Sequence, residues 1–296
     1  MTMNSRKGFT LVEMLVVIGI LGILTGVLIS SLSGSSESAR NAQCLTNMKN
    51  LASACQSYGM SSEYYPLAGG IEKIKMERSG SGTSANHKSV YYEIPGWLSW
   101  NSEGKYASKP SSKTANSGWY TSAYDQTATA REYAYTNGVL FKYISGNRNT
   151  FRCPVHVRKM PHALDPAWSY VMNSYFGWHG SPTRRWYGQL KRADRRLLFA
   201  ELGFMGVERE ADFSTGAGEK CDCVLQYENS EVIGFNHSSG KKTKFAHVVF
   251  ADGHTENIAW PKSGLGDSEL KELTKWLCEG KDVSFDGSRY LDASEF

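Results

Sequence analysis

The chain has 296 residues, 41% of them hydrophobic and 21% charged, with a net charge of +4. That composition excludes a disordered chain, and the length allows one large domain or two small ones. The modest charge gives no general reason for a polyanionic partner. Six cysteines (Cys44, Cys55, Cys153, Cys221, Cys223, Cys278) are too few for a cysteine-stapled scaffold, and none stands in a C-x2-C pair. The usual structural zinc spacing is therefore absent.

The chain opens with a short polar stretch holding Arg6 and Lys7, followed by an almost wholly apolar run from Phe9 to Ile29. As a helix that run is about 31 Å long, roughly one bilayer core. No basic residue follows until Arg40. The charge asymmetry leaves the N-terminus in the cytoplasm and sends the rest outward. A secretory signal peptide would have a shorter apolar region and an A-x-A-like cleavage site. A plain membrane anchor fits the length but leaves Glu13 unexplained, because an ionisable residue in such a run is costly.

The segment Lys7-Gly8-Phe9-Thr10-Leu11-Val12-Glu13-Met14-Leu15-Val16-Val17-Ile18 closely resembles the prepilin signature of type IV pilins and type II secretion pseudopilins. The resemblance implies cleavage by a prepilin peptidase after Gly8 and N-methylation of Phe9. It also implies that Glu13 serves assembly, by pairing with the N-terminal amine of a neighbouring subunit. The alternative for Glu13 is snorkelling to the cytoplasmic interface.

Ser30 to Ser38 is small and polar and marks the exit from the bilayer. Helical spacing then resumes at Ala42, Leu45, Met48, Ala52 and Cys55, bounded by Pro66. The segment Arg40 to Leu51, with Tyr65-Pro66, Phe151-Arg152-Cys153-Pro154, Ser169 to Asn173 and His237 to His254, is similar to one large pilin-like subfamily. That subfamily carries a C-terminal histidine, a spacer of nine residues and an Asp-Gly pair. Here fourteen residues separate His237 from Asp252, and Lys241 to Phe245 looks like an insertion.

The remainder reads as α+β. Strands are expected at Val90–Ile94, Val139–Ile144, Ser169–Met172, Leu197–Ala200, Ala246–Ala251 and Thr255–Ala259. Ser79–Ser89 and Ser99–Gly118 read as surface loops. Asp267 can cap a short helix carrying Leu270, Leu273 and Leu277, ended by Gly280. The expected fold is pilin-like, a long N-terminal helix packed on an antiparallel sheet with long loops. Residues 1–8 are a cytoplasmic prepilin leader, 9–29 a transmembrane and polymerisation helix, 30–60 the outer half of that helix, and 61–296 an extracytoplasmic globular domain.

Few motifs for chemistry stand out. Arg184 to Arg196 places six basic residues and two aromatics in thirteen positions, which could hold an anionic polymer. A solvated loop leading into the Leu197 strand is preferred. Trp97, Trp100, Trp119 and Tyr120 could stack sugars, or make a satellite core. His237, Asp252 and His254 could be metal ligands or an acid–base pair. The Asp252-Gly253 pair between two strand-like runs is a hairpin signal, so His237, Asp252, Gly253 and His254 are assigned to a structural turn motif. Cys44 and Cys55 lie about 16 Å apart in rise on one helix and cannot pair with each other. Cys153 is a candidate disulfide partner for one of them, while Cys221 and Cys223 would pair elsewhere if at all.

The expected function is that of a structural pilin-like or pseudopilin subunit of a type II secretion or type IV pilus-like filament. The alternative is a membrane-tethered binding protein for polysaccharide or DNA. No catalytic residue, metal or cofactor is expected. The expected partners are prepilin peptidase, other pilin or pseudopilin subunits and inner-membrane lipid, not nucleic acid. The chain is expected in the bacterial inner membrane with a periplasmic C-terminal domain, and in a filament or at the cell surface after assembly.

Overall fold

The structure is a computed structural model that describes residues 10–79, 86–94, 96–100, 132, 134–159, 168–177, 183–204, 223–226, 231–239, 243–261, 264–285 and 290–292. It divides into two compact units, residues 1–40 and 41–296. The first contains the start of helix α1 (Leu11–Ser62). Its large apolar side chains, including Leu11, Val12, Ile18, Ile23 and Val27, are exposed. Ser30 to Ser38 does not interrupt the helix, because serine costs little in a helix interior and no proline intervenes.

In the second unit, α1 buries Cys44, Asn47, Met48, Leu51, Ala52 and Cys55. The steps are the expected three and four residues, but the stripe is rotated from the sequence reading. Ala42 is exposed and Leu45 only partly buried. Alanine is a weak marker of a buried face, and the polar Asn47 belongs to it.

Among the described residues, ten strands and two helices follow before a final two-stranded ribbon. They are β1 (Gly70–Ser79), β2 (Asn86–Ile94), β3 (Ser99–Trp100), α2 (Pro154–Lys159), β4 (Tyr170–Asn173), β5 (Leu197–Phe204), β6 (Val224–Leu225), β7 (Glu231–Ile233), β8 (His237–Ser239), β9 (Thr243–Phe250), β10 (Thr255–Ala259) and α3 (Asp267–Glu279). A short ribbon pairs β11 (Val283–Phe285) with β12 (Tyr290–Asp292). The main sheet runs β10-β9-β5-β4-β6, with β7 also paired to β5 and β8 also to β9. Its described pairs are antiparallel except β4–β6, which is parallel. A second sheet has the order β2-β1-β3, with β1–β3 parallel. The α+β class holds, but the sheets are mixed, not antiparallel throughout. Residue alternation fixes which face a side chain takes, not the direction of the neighbouring strand.

Three local readings are corrected. Ser79–Ser89 and Ser99–Gly118 were expected as surface loops, but Ser79 ends β1, Asn86–Ser89 belong to β2 and Ser99–Trp100 form β3, because pairing with β1 and not local composition makes these strands. Val139–Ile144 was expected as a strand, but Phe141–Ile144 is a 3-10 turn closed by Ser145 and Gly146 in the left-handed region. A short apolar run carries no period that separates strand from helix. Strand β1 was not expected, because charged residues interrupt its alternation. Its register is supplied by β2, with Ile74 opposite Tyr91. Helix α3 forms as expected, although Gly266 takes the N-cap position and Glu269 accepts from the Gly266 N–H at 2.8 Å. Gly280, at φ 71°, ends it.

The core centres on Trp97, Phe151, Trp168, Tyr170, Phe176 and Phe199, all fully buried. Buried Asn173 ties elements together by donating to the carbonyls of Leu197 (2.8 Å) and Cys278 (3.0 Å) and accepting from Tyr175 N–H (2.9 Å).

Candidate functional site

At the start of α1 the Glu13 carboxylate accepts from the Thr10 N–H (2.7 Å) and the Thr10 hydroxyl (2.8 Å). The Thr10 hydroxyl in turn accepts from the Glu13 N–H at 3.3 Å. Thr10 is the N-cap and Glu13 the third helical residue, so Thr-x-x-Glu is a reciprocal capping box. That role was readable in the sequence, and it gives Glu13 a partner within its own chain. Gly8 and Phe9 lie outside the described residues.

A second constellation is buried in the larger unit. Cys44 on α1, Cys153 just before α2, Glu201 on β5 and His237 on β8 each present one ligand-type atom, and these atoms lie within 4.8 Å of one another. The Cys44 thiol donates to Glu201 Oε1 at 2.8 Å. His237 Nε2 contacts the same oxygen and lies 3.6 Å from Cys153 Sγ. The Glu201 and His237 side chains have no exposed surface. Glu201 Oε2 has no hydrogen-bond partner among the described residues.

The fold aims each group. Asn47, one turn beyond Cys44, donates to the carbonyls of Asn149 (3.1 Å) and Arg152 (2.9 Å) and so pins the chain entering Cys153. Pro154 opens α2, where its missing N–H costs nothing. Cys153 Sγ accepts from His156 N–H at 3.4 Å, in the place of a cap. Tyr170 donates its hydroxyl to Cys44 Sγ at 3.2 Å. Asn41 donates to the Ser238 carbonyl at 3.3 Å, which turns its Oδ1 toward His237 Nδ1 at 2.6 Å. An oxygen there can only accept, so Nδ1 carries a proton.

These contacts set the protonation. Burial, reinforced by Cys153 and Glu201, pushes the Cys44 thiol well up. Burial would raise Cys153 too, but hydrogen bonds with Cys44 and His237 outweigh it and hold this thiol low. Burial opposes charge on His237, yet its contacts with Cys153 and Glu201 win and push it up to about 9. The cluster gathers lone pairs, and positive charge is drawn into its middle.

Comparison with known proteins bears on the N-terminus. Residues 3–29 match the family model described as the prokaryotic N-terminal methylation motif. At this segment the chain is similar to type II secretion pseudopilins. It is 28% identical over 90 residues to the type II secretion system core protein G of Escherichia coli (strain K12), covering 30% of this chain and 62% of that protein. It is 36% identical over 73 residues to the protein of the same name from Vibrio cholerae, covering 24% of this chain and 50% of the relative. The chain thus spans less than two thirds of the length of the curated relatives it matches. No solved structure matches it.

The other predicted residues separate. His237 is not part of the Asp-Gly turn; it stands on β8 in the buried cluster. Asp252, Gly253 and His254 make the β9–β10 turn, which is longer than the expected two-residue type. Gly253 N–H donates to Phe250 O and Phe250 N–H to His254 O, both at 2.9 Å. Gly253 has φ 94° while Asp252 is not in the positive-φ region. This is a three-residue loop with glycine in the bulge position. Asp252 Oδ1 accepts from His254 N–H (3.0 Å) and lies 2.6 Å from His254 Nδ1. Gln56 of α1 donates to the Asp252 carbonyl at 2.9 Å.

The five described cysteines, including Cys44, Cys55 and Cys153, are free thiols. Cys55 is fully buried away from the cluster, and Cys221 lies outside the described residues. Sequence reasoning missed Glu201, which sits inside an apolar strand run. The basic stretch is engaged internally. Arg185 and Arg196 lie over the Tyr175 ring at 4.1 and 3.8 Å, and Arg192 and Arg195 both pair with Asp282. Trp97 is core, with its indole N–H on the Cys223 carbonyl at 3.2 Å. Trp119 and Tyr120 lie outside the described residues.

Proposed function

We propose that the chain is a structural pseudopilin subunit of a type II secretion or type IV pilus-like filament. A prepilin peptidase cuts it after Gly8, Phe9 becomes its methylated amino terminus, and α1 anchors it in the inner membrane before assembly. Residues 1–8 are then the leader, 9–29 the membrane and polymerisation helix, 30–60 its outer half and 61–296 the extracytoplasmic domain. The observation that carries this reading is the exposed apolar start of α1, which lies inside the methylation-motif match. A side chain such as Leu11, 80% exposed, gains on leaving water, roughly 1.5–3 kcal/mol for a large aliphatic group. Lipid, then neighbouring subunits, supply that environment.

No helix among the described residues is long and apolar enough to cross a membrane. The run read from the sequence also includes Phe9, Leu28 and Ile29, whose side chains lie outside the described set. The reading makes the chain a non-enzyme whose partners are other pilin or pseudopilin subunits and the peptidase. The binding-protein alternative gains nothing from the basic stretch, whose arginines have internal partners.

Shearing cells and probing the released material with an antibody to the C-terminal domain tests the proposal. Recovery in sheared filaments, in multimers that cross-link through residues 9–29, is expected. Retention of all the protein as uncross-linked monomer in the membrane would refute filament assembly.

A further inference from the structure

We propose that Cys44, Cys153, His237 and Glu201 form a structural zinc site that clamps α1 to the sheet. Two thiols, an imidazole and a carboxylate are the donor types that zinc takes, and four such donors complete a tetrahedron with no position left for water. Their ligand atoms lie within 4.8 Å of one another. That span suits donors arranged around one ion at about 2.0–2.3 Å each. All four residues are buried, which makes the site closed and structural, not catalytic.

The surroundings point to the same ligand. His237 Nδ1 is committed to Asn41 at 2.6 Å, which aims Nε2 into the cluster. A second-sphere acceptor on the far nitrogen is the usual support of a metal-bound histidine. Tyr170 and the His156 N–H donate to the two sulfurs, an arrangement that suits thiolates. Glu201 Oε2 is fully buried and has no hydrogen-bond partner among the described residues, a cost that a cation beside the carboxylate removes. The four ligands come from positions up to 193 residues apart (237 minus 44). Metal binding therefore adds directly to folding free energy.

Export allows a competing outcome, a Cys44–Cys153 disulfide. That bond would consume two donors and leave Glu201 and His237 as a buried pair with one carboxylate oxygen still unserved. Zinc accounts for all four residues at once. The proposal does not depend on filament assembly.

The test uses the full chain in detergent, purified with a tag lacking histidine, with total zinc measured by mass spectrometry. Cobalt exchange reports the ligands. Stoichiometric zinc and a cobalt spectrum with sulfur-to-metal charge transfer and intense tetrahedral bands are expected. Zinc content should fall more than about tenfold in Cys153→Ser and in His237→Gln, and stay unchanged in Cys55→Ala. Cysteine loss could unfold the chain, so Glu201→Gln is read as well. It should keep the sulfur charge-transfer band, shift the ligand-field bands and weaken cobalt affinity. Full-length chain with reduced thiols that takes up neither added zinc nor cobalt would overturn the site. So would a Cys44–Cys153 cross-link in chain isolated directly from cells, or unchanged zinc content in Cys153→Ser.

Discussion

Glu13 carries two roles that a single substitution can confuse. Its carboxylate closes the capping box with Thr10, and by the proposed function it pairs with a neighbour's amine during assembly. Glu13→Ala removes both, whereas Glu13→Gln keeps a side-chain acceptor at the third helical position and removes only the charge. If the charge pairs between subunits, both variants insert in the membrane but yield few or no sheared filaments. Filaments from Glu13→Gln at wild-type level, with loss only in Glu13→Ala, would assign the residue to the cap alone. The β9–β10 turn gives a second contrast between neighbouring residues. Gly253 has φ 94°, and a Cβ there would lie 2.8 Å from Gln56 Nε2. Gly253→Val should therefore cost about 1–3 kcal/mol. Asp252→Asn keeps the acceptor for His254 N–H and should cost about 0.5 kcal/mol or less. Thermal melts of the two variants decide, and equal losses would contradict the strained-glycine account.

Elements differed in how far the sequence showed them. Helix α1, the second part of β2, strands β4, β5, β9 and β10 and helix α3 were legible because apolar spacing or a run of branched and aromatic residues marks each. Strand β1 was not, since its stability comes from pairing with β2 and not from its own pattern. The site was half legible. Cys44, Cys153 and His237 each fell in a segment already singled out, but nothing along the chain shows that they meet. Glu201 was invisible, because a lone acid in Leu197–Phe204 looks like a solvent-facing position until α1 covers that face of the strand and brings Cys44 against its carboxylate. Buried polar anchors escape the same way, and Asn173 is the clearest case. Asn173→Leu should fill the space yet strand the carbonyls of Leu197 and Cys278, at about 1–3 kcal/mol per orphaned group. A lowered melting temperature with faster amide exchange in α3 is the expected result; a melt equal to wild type would mean that water or relaxation replaces those bonds.

At the scale of the whole molecule, the zinc proposal and the filament proposal act on the same helix from two directions. By the filament proposal, subunit contacts are made by the apolar N-terminal part of α1, while by the zinc proposal Cys44 anchors the helix within the larger unit. The filament proposal requires that the chain keep the apolar part of this helix after export, which is a statement about processing, whereas the zinc site needs only the outer part that carries Cys44. Cleavage after Gly8 removes Arg6 and Lys7 and leaves Phe9 as the new terminus, with Glu13 and the whole apolar run retained. Conventional signal-peptide removal would instead cut beyond the run and release a domain lacking it. Intact-mass measurement of membrane-extracted protein separates the two. The expected mass is that of residues 9–296 plus one methyl group, and Gly8→Val should abolish the shift, leaving the full-length precursor in the membrane. A chain beginning between Ser30 and Asn41, recovered in the soluble fraction, would end the filament reading. The zinc site could survive that result, because Cys44 would remain in the product.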